Sequence, residues 1–130
     1  MGTKISGLLI GAGIAGLLWW VFFEPGDRNL KGAARGEYLL GDLGCRACHQ
    51  EDSGFRAPVI DGGIIGQPRP LTDGRRLVID EAYVRRALLD PAADIAEGYG
   101  NTMPAYPDID DADFADLMAW FRFRPAAPAP

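Results

Sequence analysis

The sequence predicts an all-α domain preceded by a single transmembrane helix. Three observations carry that prediction. An uncharged run of nineteen residues, Ile5–Phe23, lies near the start of the chain. Apolar residues recur at helical spacing in three later segments. No stretch shows a convincing strand alternation, and none repeats another. At 130 residues the chain allows at most one compact domain plus an appendage, and 48% hydrophobic with 24% charged residues is ordinary for a globular protein.

Residues 1–4 form a short cytoplasmic N-terminus and residues 5–23 the anchor. At about 1.5 Å per residue the run reaches roughly 28 Å, close to the hydrocarbon thickness of a bilayer. It ends in Trp19, Trp20, Phe22 and Phe23, which suit a membrane–water interface, rather than in the small residues of a signal-cleavage site. Lys4 precedes the run, and Glu24 and Asp27 follow it. This places the N-terminus inside and predicts a single-pass protein of the cytoplasmic (inner) membrane with its domain on the periplasmic side. Besides the lipid bilayer, the small-residue stripe Gly7, Gly11 and Ala15 predicts other transmembrane helices as neighbours.

Residues 24–31, EPGDRNLK, read as a linker broken by Pro25 and Gly26, and residues 32–124 as the domain. Its first helix runs over Gly32–Gly44, with Ala33, Gly36, Leu40 and Leu43 on one face. Gln50–Gly74 is rich in glycine and proline and reads as loop. Asp80 opens a second helix over EAYVRRALLD. Asp110 caps the last one, with Asp113 as an imperfect capping-box partner and a stripe of Phe114, Leu117, Met118 and Phe121. Pro125 ends that helix, and residues 125–130, PAAPAP, form a stiff tail.

From Glu24 onward the chain holds 18 acidic residues against 12 basic ones, a formal charge of −6. That argues against nucleic acid as a ligand and suits a basic partner.

The chemistry concentrates in CRACH, residues 45–49, which contains both cysteines and the one histidine of the chain. A structural zinc site needs four ligands, and three in one pentapeptide cannot wrap a tetrahedron. A thioredoxin-like dithiol needs a βαβ context, which is absent. A disulfide across two residues would be strained and leaves His49 without a role. Cys-x-x-Cys-His fits covalent attachment of one haem c: Cys45 and Cys48 form the thioethers, and His49 is delivered to the iron as an axial ligand.

With no second histidine, the sixth ligand falls to a methionine. Met118 belongs to an apolar helical stripe and reads as core. Met103 sits in GYGNTMPAYPD, where Pro104 forces an extended conformation and nearby glycines allow close approach to a flat macrocycle. It is therefore the predicted second axial ligand. The Nδ1–H of His49 needs an acceptor, for which the carbonyl of Pro58 is the candidate. Asn101 is a candidate donor to the Met103 sulfur. Tyr99, Tyr106, Arg75 and Arg76 are candidates for the haem propionates.

Across Gly32–Phe123, about seven tenths of the chain, the sequence resembles class I cytochromes c. The run from Asp73-Gly74 through Glu81-Ala82-Tyr83, Asp90-Pro91-Ala92 and Gly98-Tyr99 to Met103-Pro104 is similar to the cytochrome c domain fused to subunit II of some haem–copper oxidases. The layout also resembles monohaem subunits of alternative complex III. Ala57 stands where the family often has glycine before Pro58, and no dinuclear copper ligands are present.

The resemblance implies crossing first and last helices, with Gly36 against Leu117, Trp120 or Phe121. It implies a membrane-tethered one-electron carrier of a respiratory or photosynthetic complex, with redox proteins as partners and no catalysis of its own. Two rivals stand beside it: a gas or redox sensor in which Met103 dissociates, and a structural subunit of a membrane complex.

Overall fold

The structure, a computed structural model, describes residues 30–51 and 57–123. Four helices and one small sheet are formed among them. Helix α1 spans Ala33–Asp42 and helix α2 Arg46–His49; strands β1 and β2 span Pro68–Pro70 and Arg76–Val78. Helices α3 (Glu81–Leu89) and α4 (Asp111–Arg122) complete the order.

Capping explains where the two later helices start. The Asp80 carboxylate accepts from the Tyr83 N–H at 2.7 Å, and that of Asp110 from the Asp113 N–H at 2.7 Å. Each satisfies one of the orphan donors of a first turn. In α4 the apolar spacing then places Phe114, Leu117, Met118 and Phe121 on the buried side, against Leu39 and Leu40 of α1. Leu40, Leu117 and Met118 are each 1% exposed, and burying such a side chain contributes about 2 kcal/mol.

Helices α1 and α4 approach so closely at Gly36 that a Cβ there would overlap the Asp116 carbonyl oxygen and lie 2.8 Å from Trp120 Cβ. Polar bonds tie the same crossing at its edge. The Gly32 N–H donates to the Asp116 carboxylate at 2.7 Å, and Arg35 pairs with Asp113 at 2.9 Å.

The all-α expectation is corrected by the antiparallel pair β1–β2, with register Pro68↔Val78, Arg69↔Leu77 and Pro70↔Arg76. Pro-Arg-Pro does not read as a strand, because proline lacks the N–H that a ladder uses. In a two-stranded ribbon both strands are edges, so a missing donor is tolerated. The loop between them closes through Leu71 N–H to Arg75 O at 2.9 Å, with Gly74 at φ 86°. Such a three-residue hairpin places glycine in the left-handed region.

The transmembrane expectation is also corrected. Residues 5–23, with the Gly7/Gly11/Ala15 stripe, lie outside the described residues. Among the described residues no helix is long and apolar enough to cross a membrane. The longest, α4, has 12 residues, reaching about 18 Å against a core of about 30 Å, and carries Asp111, Asp113, Asp116 and Arg122. Among the described residues nothing supports the single-pass inner-membrane assignment or its periplasmic domain.

Candidate functional site: an apolar cavity behind the CRACH helix

The end of α1 aims the site. After the C-cap residue Leu43, Gly44 adopts φ 74° and turns the chain into α2, whose single turn is held by His49 N–H to Cys45 O at 2.9 Å. Cys45, Cys48 and His49 all line one cavity of about 320 Å³, and Met103 lines it from another part of the chain. The size is at the low end of ordinary ligand pockets. Its walls are largely apolar, including Leu40, Ile64, Ile79, Val84, Leu88 and Leu117.

Two bonds fix the histidine. The His49 Nδ1–H donates to the Pro58 carbonyl at 2.7 Å, and the Ile60 N–H donates to His49 O at 3.1 Å. This leaves Nε2 as the ring nitrogen free for a ligand. Burial holds the imidazole below its ordinary value, against the opposing pull of the Pro58 carbonyl, so the neutral, ligating form prevails at neutral pH. Burial likewise pushes the Cys45 thiol up, only partly offset by its own backbone and the neighbouring Tyr106 hydroxyl. A protonated, buried thiol is a poor participant in dithiol exchange.

The remaining sequence candidates divide. Tyr99 and Tyr106 are half-buried and line the cavity. The Tyr106 hydroxyl donates to Leu43 O at 2.9 Å, and burial, with the Cys45 sulfur next in effect, pushes its phenol up. Asn101 is exposed and lines the cavity with Met103. Arg75 is not in the wall: it pairs with Asp73 at 2.6 Å and with buried Asp94 at 2.9 Å. Arg76 is exposed on β2 and also lies outside the cavity lining.

Arg69 takes the place expected of that pair. It lines the cavity, and its Nε is buried without a hydrogen-bond partner. Tyr83 shares this wall; burial raises its phenol against the pull of the Arg69 cation. Nothing local singles out Arg69, because Gln50–Gly74 reads as loop. A hairpin reading about Asp73-Gly74 would have found it, since period two turns Arg69 and Leu77 inward and Arg76 outward.

The donor set limits what can be held. Among the described residues no group of three or more His, Cys, Asp or Glu side chains could hold a metal ion, which corrects the metal-binding expectation. The lining suits a mostly apolar group that carries an anionic substituent. A carboxylate on such a group would satisfy the orphaned Arg69 Nε.

No protein-family model matches the chain, and no curated protein matches it.

Proposed function

We propose that the protein is a one-electron carrier that binds one haem covalently through Cys45 and Cys48. One observation supports this above the others: both cysteines, His49 and Met103 line a single apolar cavity, with His49 already oriented by Pro58. When bound, haem supplies reversible exchange between ferrous and ferric iron. Everything else falls to the chain.

Cys45 and Cys48 anchor the group along α2. His49 would offer Nε2 and Met103 its thioether to the iron, a pair that favours the reduced state. The Pro58 carbonyl keeps the imidazole from rotating and makes it a better donor. Leu40, Ile79, Val84 and Leu117 exclude water from around the site. Arg69, with Tyr83 beside it, offers a cation to a propionate at the wall. Redox proteins are the partners, and the acidic surface suits basic ones.

The test is purification from cells that attach haem covalently, followed by a denaturing gel stained for haem and a potentiometric titration. The wild-type protein should retain the stain and titrate with a single one-electron step. Cys45→Ala/Cys48→Ala should lose the stain, and Met103→Leu should keep it but lose the sulfur-to-iron charge-transfer band. A wild-type protein without covalent haem overturns the proposal. Rapid CO binding by the reduced wild type would favour a sensor instead.

A further inference from the structure

The segment that carries Met103 has little to hold it. From Gly98 to Ile109 no regular structure forms, and most hydrogen bonds are local, such as Thr102 N–H to Gly100 O at 3.0 Å. Tyr106 is the exception. Its N–H donates to Leu88 O, at the end of α3, at 2.7 Å. Its hydroxyl donates to Leu43 O at 2.9 Å, across 63 residues of sequence. Leu43 is the C-cap of α1 and lies two residues before Cys45, so its carbonyl belongs to a helix end that needs an outside donor.

We infer that Tyr106 is the positioning residue for Met103. Its two bonds clamp the methionine segment to the ends of α1 and α3, on either side of the cavity. The hydroxyl bond is the one that couples the segment to the turn leading into the CRACH helix. This inference rests on the electron-carrier reading above.

The thioether is a weak ligand held only by its own chain, so its occupancy depends on how far that chain can swing. Removing the hydroxyl leaves Leu43 O unsatisfied and half of the clamp gone. Cys45 and Cys48, the attachment residues, stay in place.

The experiment compares wild type, Tyr106→Phe and Asp110→Ala, all as haem-loaded full chain. Asp110→Ala removes the α4 cap and serves as a destabilised control away from the cavity lining. Tyr106→Phe should keep its covalent haem stain, show a weakened sulfur-to-iron charge-transfer band, and bind CO about tenfold faster when reduced. Asp110→Ala should lose stability with band and CO kinetics unchanged. A merely structural role for Tyr106 predicts the same pattern in both variants, and that result, or wild-type CO kinetics in Tyr106→Phe, overturns the inference. Absence of covalent haem from wild type would instead sink the underlying reading, so the two failures are distinguishable.

Discussion

Where α1 meets α4, side chains repeat at helical spacing, Gly36 admits the Asp116 backbone, and Leu40, Leu117 and Met118 are almost wholly buried. The cavity wall from Ala57 to Ile109 is assembled otherwise. Its regular parts, the β1–β2 pair and α3, are joined by loops that individual bonds tie down: His49 to Pro58, Tyr106 to Leu43, and Arg75 and Arg86 to Asp94. The crossing is complete within the chain. The wall surrounds a volume that its own side chains do not fill. A small domain can thus divide its labour, with periodic contacts supplying a rigid base and isolated bonds setting the shape of a site.

The largest effect should come from breaking the base. Gly36→Leu drives a side chain into backbone that cannot move aside, and should cost about 3 kcal/mol or more, read as a lowered urea midpoint. Replacing both Cys45 and Cys48 by alanine should separate the regions. Amide exchange across residues 57–66 and 97–109 should speed about tenfold, while α1 and α4 stay protected. Equal acceleration everywhere would contradict the contrast between base and wall.

Asp94→Ala tests the wall's polar tie. The carboxylate joins Arg75 and Arg86, each at 2.9 Å. Because both arginines are about half exposed and regain water, the loss should be about 1–2 kcal/mol. Next in size are the caps. Asp110→Ala on the base and Asp80→Ala near the wall should each cost about 1 kcal/mol by thermal denaturation.

The smallest effect concerns acid. Hydrogen bonds from the Arg75 backbone and guanidinium hold the Asp73 carboxyl below its usual range. A depressed folded-state value means the bond contributes above the unfolded value of about 3.9 and is lost as pH falls through the folded one. Asp73→Asn should therefore flatten the pH dependence of stability slightly, below about pH 4 and not above it.

The three helices of ten, nine and twelve residues were legible because their signals are local. Asp80 and Asp110 each stand one residue before a periodic apolar run, and both cap as that position requires. The β1–β2 hairpin was not, since Pro68-Arg69-Pro70 hides its alternation behind two residues that lack donors. Cys45, Cys48 and His49 could be read together because one helical turn carries them. Arg69 could not be told from Arg75 and Arg76 by residue type, and only strand register decides which cation faces inward.

By itself, the order of residues determined the chemistry on offer: two thiols and an imidazole in one pentapeptide, and a thioether in a stretch that proline keeps out of any helix. Helix limits were also settled there, because capping and apolar period act within a few residues. Only the tertiary structure decided that Met103 shares a cavity with CRACH, that Asp94 claims Arg75, and that Tyr106 reaches Leu43. Those outcomes depend on contacts tens of residues apart, for which loop paths and strand register matter and local pattern carries no record.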